Sequence, residues 1–281
     1  MTDHYAVVGN PVAHSVSPLI HAQFALQTGE DIDYVKLLAP LDGFAECVAQ
    51  FRASGGKGVN VTLPFKIEAY RLATRLNPAA QQAQAVNTLK FEGNDIIGDN
   101  TDGRGLTRDL EVNLGFAIAG RRVLLMGAGG AAQGVLAPLF AQKPAVLMIA
   151  NRTLARAQTL ADSFERSGCC AAASYEALAG SQFDLVINAT SASVAGALPP
   201  LPPRLYASGA LAYDMMYAAE PTLFLRSALA CGAARIADGI GMLVEQAAVS
   251  FQVWRGVCPD TKPVLEKLKG ERPDWRNAGQ P

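Results

Sequence analysis

The stretch VLLMGAGGAA, residues 123–132, joins a run of apolar residues to a glycine-rich turn. A short apolar run bounded by a turn is typical of a buried strand in a parallel sheet. In the turn G-x-G-x-x-A, Gly127 permits a tight bend, Gly129 lets the backbone approach a pyrophosphate, and Ala132 lets the next helix pack closely. We therefore predict a dinucleotide-binding turn rather than a purely structural one, followed by a helix from Ala131 to Gln142. The predicted cofactor contacts here are Gly127, Ala128, Gly129, Gly130 and Ala131.

The next predicted strand, Ala145 to Ala150, is followed by Asn151-Arg152-Thr153, with Arg156 one helical turn later. A NAD-binding protein usually has an acidic residue here for the ribose 2′-hydroxyl, and this chain has none. Two guanidinium groups are suited to hold a 2′-phosphate, which a carboxylate would repel. The pattern therefore favours NADP as the cofactor, although a pair of ordinary solvated arginines would give the same sequence.

Strand-like and helix-like segments alternate along the chain, which predicts the α/β fold class. At 281 residues the chain is longer than most single domains. We predict an N-terminal α/β substrate domain over residues 1–103, a Rossmann-type domain with a doubly wound parallel sheet over 104–239, and a cleft between them. Helices within about 240–269 are expected to complete the first domain, and the tail 270–281 is expected to be disordered. A helix from Gly105 to Leu114 is expected to bridge the domains.

Composition narrows the classes of partner. With 24 basic and 25 acidic residues the formal net charge is -1, so no broad attraction to nucleic acid or to an anionic membrane is expected. The five cysteines form no CxxC pair and the three histidines no ligand pair, so neither a disulfide framework nor a metal site is predicted. The first ten residues do not resemble a signal peptide, and a cytoplasmic location is expected. The sequence leaves open whether the protein is a monomer or a homodimer.

Polar side chains in the first domain gather where the predicted strands end. Strand ends are where open α/β sheets bind ligands, and hydroxyl and amide groups suit a small polyhydroxylated substrate. Each residue also has an ordinary alternative role, such as helix capping for Ser17, a turn for Asp102 or a surface charge for Lys66. The set comprises Ser15, Ser17, Asn60, Thr62, Lys66, Asn87 and Asp102.

Eight sequence blocks, spread over about residues 5 to 268, resemble the shikimate dehydrogenase family in the family's order. They are HSVSP at 14–18, GGKGVNVTLPFK at 55–66, AVNT at 85–88, GDNTDG at 98–103, GAGGAA at 127–132, NRT at 151–153 with Arg156, INATS at 187–191 and ADGIGMLVEQAA at 237–248. The resemblance implies an NADP-dependent oxidoreductase that reversibly reduces 3-dehydroshikimate to shikimate, a step of chorismate and aromatic amino-acid biosynthesis.

The resemblance also assigns roles to individual residues. It implies that Lys66 and Asp102 are the catalytic pair, and that Tyr213 approaches the substrate carboxylate. Substrate contacts are implied for Ser15, Ser17, Thr62, Asn87, Asp102, Tyr213 and Gln246. The adenosine 2′-phosphate would be held by Asn151, Arg152, Thr153 and Arg156, and the nicotinamide half of NADP would lie along Thr190, Met215, Gly239 and Met242.

Two alternatives remain at this stage. One is a quinate/shikimate dehydrogenase of broader specificity that uses NAD, against which the arginines near Asn151 argue. The other is a non-catalytic NADP-sensing protein, for which the presence of both Lys66 and Asp102 would be unexpected.

Overall fold

The computed structural model describes residues 1–163, 170–190 and 197–270. The chain divides into two compact units. The first unit comprises Met1–Leu106 and Leu243–Glu266, and the second comprises Thr107–Met242 and the residues from Lys267 onward. Of the tail predicted to be disordered, only Gly270 is described, and it ends the last helix; residues 271–281 lie outside the described part of the chain.

The described residues form twelve strands and ten α-helices. The strands are β1 (Asp3–Gly9), β2 (Ile32–Leu38), β3 (Gly56–Val61), β4 (Arg75–Leu76), β5 (Thr88–Glu92), β6 (Asp95–Asp99), β7 (Arg122–Met126), β8 (Val146–Ala150), β9 (Cys170–Ala173), β10 (Phe183–Asn188), β11 (Tyr206–Asp214) and β12 (Arg235–Asp238). The helices are α1 (Ser17–Thr28), α2 (Phe44–Ala53), α3 (Lys66–Leu72), α4 (Pro78–Ala83), α5 (Asp102–Arg108), α6 (Gly130–Ala141), α7 (Leu154–Asp162), α8 (Leu223–Ala230), α9 (Ile240–Arg255) and α10 (Lys262–Gly270).

The first unit contains a mixed sheet with the strand order β2-β1-β3-β5-β6-β4. Strand β1 is parallel to both β2 and β3, whereas β5 is antiparallel to β3 and to β6. Strands β5 and β6 form a hairpin, and Gly93 occupies its turn with a φ of 56°. The C-terminal ends of β1, β3 and β6 and the start of β5 therefore lie at one edge of the sheet. Of the polar residues predicted at strand ends, Asn60 lies within β3, and the others lie in the segments that follow β1, β3 and β6 or precede β5.

The core of the first unit fixes the start of α3. Phe65, the residue before that helix, is fully buried and stacks on Phe44 with ring centroids 4.9 Å apart. Pro64 has no N–H to donate to a neighbouring strand, so β3 ends before it. Because Phe65 is anchored in the core, Lys66 is held at the edge of the sheet where the other polar residues lie.

The second unit contains a fully parallel sheet with the strand order β12-β11-β10-β7-β8-β9. This is the doubly wound Rossmann order, with the reversal of strand order between β7 and β10. The predicted α/β fold class is thus confirmed. The glycine-rich turn follows β7 directly, at the switch point where such sheets bind nucleotides. Pro138 lies inside α6, where it supplies no N–H to the helical hydrogen-bond ladder.

The helix predicted from Gly105 to Leu114 differs from expectation in form. Helix α5 starts earlier, at Asp102, and after Arg108 the chain continues as a π-helical turn over Asp109–Asn113. The N–H of Leu114 donates to the carbonyl oxygen of Asp109 five residues earlier, at 2.9 Å. The spacing of apolar residues along the chain does not predict such a turn.

Candidate active site

Lys66 and Asp102 form an ion pair in the first unit. The ammonium Nζ of Lys66 donates to Oδ2 of Asp102, and the two side chains are only 13% and 5% exposed. Lys66 begins α3 after β3, and Asp102 begins α5 after β6. An ammonium group has three N–H donors, so this bond leaves donors of Lys66 for a further acceptor.

The second oxygen of the Asp102 carboxylate is held by Asn87. Nδ2 of Asn87 donates to Oδ1 of Asp102 at 2.8 Å. The orientation of the amide is fixed, because Oδ1 of Asn87 accepts from the backbone N–H of Thr101 at 2.8 Å and from the Thr88 hydroxyl at 3.0 Å. With its oxygen turned toward these donors, Asn87 can only present N–H groups to Asp102. The carboxylate is therefore positioned through both oxygens.

Helix α9 brings Gln246 to the same group. Oε1 of Gln246 accepts from Nδ2 of Asn87 and from the Thr101 hydroxyl, both at 3.2 Å. Its Nε2 donates to the carbonyl oxygen of Leu243 at 2.9 Å, which settles the orientation of this amide as well. The structure thus brings together four of the predicted site residues: Lys66, Asn87, Asp102 and Gln246.

A buried polar cluster lies behind Asn87. Nδ2 of Asn60 donates to the hydroxyls of Thr88 and Ser250, at 3.1 and 3.0 Å, and Oδ1 of Asn60 accepts from the Tyr34 hydroxyl at 2.8 Å. Burial raises the pKa of Tyr34 well above its ordinary value, so its hydroxyl stays protonated and donates. Sequence reasoning missed Thr88, Thr101 and Ser250 in this role. The first two stand in the AVNT and GDNTDG blocks, which was the available signal.

Ser15, Ser17 and Thr62 lie at neighbouring strand ends. The Ser15 hydroxyl donates to Oγ of Ser17 at 3.1 Å, in the loop between β1 and α1. The backbone N–H of Thr62 donates to the Val8 carbonyl oxygen at 2.9 Å, next to the end of β1. A Cβ atom on Gly9 would lie 2.3 Å from Cγ2 of Thr62, so a glycine is needed for this close approach. The Ser17 side chain lies near the Tyr34 hydroxyl of the buried cluster, where it acts against the rise in the pKa of this tyrosine.

Tyr213 does not fit its predicted contact with the substrate carboxylate. It lies on β11 in the second unit with 0% of its surface exposed, and its hydroxyl donates to Oδ2 of Asp109 at 2.7 Å. A side chain enclosed in this way presents no group to a small molecule. Tyr217, beyond the end of the same strand, is only partly buried and is the more accessible phenol.

The glycine-rich turn of the second unit has the geometry that its sequence predicts. Gly127 has a φ of 110°, and a Cβ atom there would lie 3.0 Å from the carbonyl oxygen of Ala189. A Cβ atom on Gly129 would meet no atom within 4 Å, so the backbone at this point faces open space. Ala132 is fully buried in α6, and that helix begins at Gly130. The turn therefore offers backbone N–H groups at a helix N-terminus to an anion.

The arginines after β8 are accessible. Arg152 and Arg156 are both exposed, and Nδ2 of Asn151 donates to the carbonyl oxygen of Thr153 at 2.9 Å, which shapes the turn before α7. No residue from Asn151 to Ala161 is acidic. This end of the sheet is suited to a phosphate group and would not favour a free ribose 2′-hydroxyl.

The four residues predicted to lie along the nicotinamide half follow three neighbouring strands, β10, β11 and β12. The Thr190 hydroxyl donates to Oδ1 of Asn188 at 2.7 Å, and the N–H of Met215 donates to the Asn188 carbonyl oxygen at 3.0 Å. A Cβ atom on Gly239 would lie 2.2 Å from the carbonyl oxygen of Met215, so these segments touch. Met242 is buried in the first turn of α9. Ser191 of the INATS block lies outside the described residues.

In the parts of the chain that the structure describes, no group of three or more His, Cys, Asp or Glu side chains is arranged to hold a metal ion. None of the helices over 1–163, 170–190 and 197–270 has both the length and the apolar character needed to span a membrane.

The second unit, a Rossmann sheet with a glycine-rich turn before a helix, defines a nucleotide-binding α/β protein. The first unit adds acid-base groups through the buried pair Lys66 and Asp102. Family models match in three segments: the shikimate dehydrogenase substrate binding domain at residues 7–89, shikimate/quinate 5-dehydrogenase at 111–195, and the shikimate 5′-dehydrogenase C-terminal domain at 239–269. The chain belongs to the shikimate dehydrogenase family.

Individual relatives agree over nearly the whole chain. The shikimate dehydrogenase (NADP(+)) of Nitrosospira multiformis is 61% identical, over 96% of this chain and 98% of the relative. The crystal structure of the Ael1 enzyme from Pseudomonas putida has a TM-score of 0.87 at 48% identity and covers 95% of this chain and 98% of its own. That of shikimate 5-dehydrogenase from Thermus thermophilus, in complex with NADP(H) and shikimate, has a TM-score of 0.83 at 32% identity, with 96% and 99% covered.

Proposed function

We propose that the protein catalyses the reversible NADPH-dependent reduction of 3-dehydroshikimate to shikimate, a step that leads to chorismate and the aromatic amino acids. The observation that carries the proposal is the ion pair between Lys66 and Asp102, held rigid by Asn87 in the unit that contains the match to the substrate-binding family model. The names of the relatives, shikimate dehydrogenase (NADP(+)), support both the substrate and the cofactor.

Reduction of a ketone to an alcohol needs a hydride on carbon and a proton on oxygen, and NADPH supplies only the hydride. In our proposal an N–H of Lys66 that is not bonded to Asp102 donates to the carbonyl oxygen of the substrate. The ammonium stabilises the negative charge that develops there and gives up its proton, and water returns a proton to the pair. Asp102 keeps the ammonium in place throughout.

The remaining substrate contacts are proposed from the same unit. Asn87 and Gln246 are supported by their hydrogen bonds within the Asp102 group, and Ser15, Ser17 and Thr62 by their place at the ends of β1 and β3. Hydroxyls and amides of this kind match ring hydroxyls and a carboxylate, because each can donate or accept a hydrogen bond. Tyr213 is not part of this proposed set, because its hydroxyl is buried against Asp109.

The second unit is proposed to hold NADP. Its pyrophosphate would meet the backbone from Gly127 to Ala131, and its 2′-phosphate would meet Asn151, Arg152, Thr153 and Arg156. Thr190, Met215, Gly239 and Met242 would lie along the nicotinamide half. The support is the open backbone at Gly129, the exposed arginines and the absence of an acid after β8.

Initial-rate assays that pair shikimate or quinate with NADP or NAD test this proposal. The highest kcat/KM is expected for shikimate with NADP. Equal efficiency with quinate and NAD would indicate a broader quinate/shikimate dehydrogenase. Tight NADP binding without turnover of either substrate would indicate a sensing protein and would reject the proposal.

A cytoplasmic location and a monomeric or homodimeric state are part of the proposal. The location is supported by the biosynthetic reaction and by Cys47, Cys170, Cys231 and Cys258, which are free thiols. Sedimentation velocity at several protein concentrations distinguishes the two assembly states, and thiol titration of the protein isolated from the cytoplasm tests for disulfides.

A further inference from the structure

A buried carboxylate and a buried phenol form a pair in the second unit. Asp109 is 2% exposed at the start of the π-helical turn, and its Oδ2 accepts from the hydroxyl of Tyr213, which lies on β11. Oδ1 of Asp109 accepts from Nδ2 of Asn113 at 3.0 Å, within the same π-helical turn. π-Helical turns often occur at functional sites, and neither residue of the pair takes part in the reaction as proposed.

The pair touches the segment 239–242 at two successive residues. A Cβ atom on Gly241 would lie 1.9 Å from Oδ1 and 2.4 Å from Oδ2 of Asp109, so the backbone of Gly241 rests directly on the carboxylate. The backbone amide of the next residue, Met242, faces the Tyr213 hydroxyl and acts against the rise in the pKa of this phenol. The Tyr213 hydroxyl therefore lies beside the first turn of α9 and donates to Asp109.

The chemistry of the pair favours a fixed arrangement. A buried carboxylate is costly unless it is hydrogen-bonded, and Asp109 has donors from Tyr213 and Asn113 as well as the nearby N-terminus of α9, whose dipole favours an anion. Burial raises the pKa of Tyr213 well above its ordinary value, so the phenol remains a donor. Since the donor and acceptor roles are fixed, the first turn of α9 can be held in one orientation.

We propose that Asp109 and Tyr213 are positioning residues that hold the segment 239–242 in the orientation needed for the nicotinamide half of NADP, without touching the cofactor themselves. The inference rests on the proposed function, because Gly239 and Met242 are assigned there to the nicotinamide half. It also accounts for the burial of Tyr213 and for the π-helical turn, which places Asp109 against Gly241.

The experiment compares two ligands on each variant. NADP engages both halves of its site, whereas adenosine 2′,5′-bisphosphate carries the adenosine and the 2′-phosphate but no nicotinamide. Dissociation constants for both are measured by calorimetry on the parent, on Tyr213→Phe and on Asp109→Asn. Tyr206→Phe is the matched control, because it removes a hydroxyl from a buried tyrosine at the other end of β11.

We expect both variants to bind NADP about tenfold more weakly, the usual consequence of losing a hydrogen bond to a charged group, while adenosine 2′,5′-bisphosphate binds unchanged. Tyr206→Phe should alter neither constant. Unchanged NADP binding in both variants would overturn the inference. An equal loss of affinity for NADP and for adenosine 2′,5′-bisphosphate would overturn it too, because it would show that the pair stabilises the whole second unit and not the segment 239–242 in particular. A parent protein that binds neither ligand would instead reject the proposed function, and the inference with it.

Discussion

Asn87 donates a 2.8 Å hydrogen bond to the oxygen of Asp102 that Lys66 does not use. The direction of this bond is enforced by the backbone N–H of Thr101, which occupies the amide oxygen of Asn87. The carboxylate is thus held through both of its oxygens. Preorganisation of this kind reduces the rearrangement needed when charge develops on a bound carbonyl.

The role of the carboxylate is tested by Asp102→Asn. An amide of the same size can neither neutralise the Lys66 ammonium nor accept a proton, so kcat should fall by roughly 10²- to 10⁴-fold. The measurement is steady-state oxidation of shikimate with saturating NADP. Asp99→Asn is a useful comparison, because this buried carboxylate pairs with Arg104 and has no proposed part in the chemistry. A kcat for Asp102→Asn close to that of the parent would remove Asp102 from the mechanism.

The arginines after β8 should determine the choice of cofactor. Arg152→Ala and Arg156→Ala are each expected to raise the KM for NADP roughly tenfold, less if the bound phosphate stays solvated, and to leave the KM for NAD nearly unchanged. Only NADP carries the phosphate that these residues would contact. Arg226→Ala, an exposed arginine elsewhere in the unit, is the control. An equal rise in the KM for NADP and in the KM for NAD would show that the arginines have another role.

Thr62 should contribute to substrate specificity. We expect Thr62→Val to lower kcat/KM for shikimate by about ten- to a hundredfold, because a polar group of the substrate would lose its partner, while the KM for NADP stays the same. Quinate, with one more ring hydroxyl, should be a poor substrate of the parent. Thr2→Val provides a control with an exposed threonine in the same unit. Efficient oxidation of quinate, or no effect of Thr62→Val, would exclude a closely fitted set of hydrogen bonds around the ring.

His21 should make folding sensitive to acid. It is fully buried against Tyr34, with ring centroids 4.2 Å apart, and burial lowers its pKa to about 3 from an ordinary 6.5, with the nearby Asn60 amide opposing the shift only partly. Below pH 6.5 the unfolded chain binds a proton here that the folded chain does not. The free energy of unfolding should therefore fall as the pH falls toward 3, by up to about 1.4 kcal/mol per pH unit from this group.

His21→Phe should remove the part of the pH dependence that comes from His21, since phenylalanine places an aromatic ring at this position but has no group that titrates. Urea unfolding of the parent and the variant between pH 7 and 4 gives the difference directly, because the other titrating groups cancel. His14→Gln, at an exposed position, should follow the parent. If the free energy of unfolding changes with pH in the same way for the parent and for His21→Phe, His21 does not cause the loss of stability in acid.

Much of the second unit could be predicted from sequence because its signals are local. Gly127, Gly129 and Ala132 act through their own backbone conformation and size, and the strand before them and the helix after them are contiguous in the chain.

The short strands β4, β9 and β12 were not predicted. Two to four residues carry too little periodicity, and these strands form through pairing with neighbours in the sheet.

The surroundings of Tyr213 and of the residues that sequence reasoning missed depend on contacts between distant parts of the chain. The Tyr213 hydroxyl meets a carboxylate that lies 104 residues earlier in the chain. The sequence around Tyr213 does not indicate in which direction this hydroxyl points. Ser250 joins Thr88 across 162 residues in the same way. Single hydroxyl residues are common on protein surfaces, so only the folded sheet reveals that these are buried around Asn87.

The most direct test of the account is the turnover of shikimate with NADP by the parent and by Lys66→Ala, measured with the dissociation constant of shikimate for each. We predict that Lys66→Ala loses roughly 10²- to 10⁴-fold in kcat while shikimate binding changes little, because the ammonium acts on the carbonyl oxygen as charge develops. A kcat for Lys66→Ala near that of the parent would contradict the central claim that the Lys66–Asp102 pair performs the proton transfer.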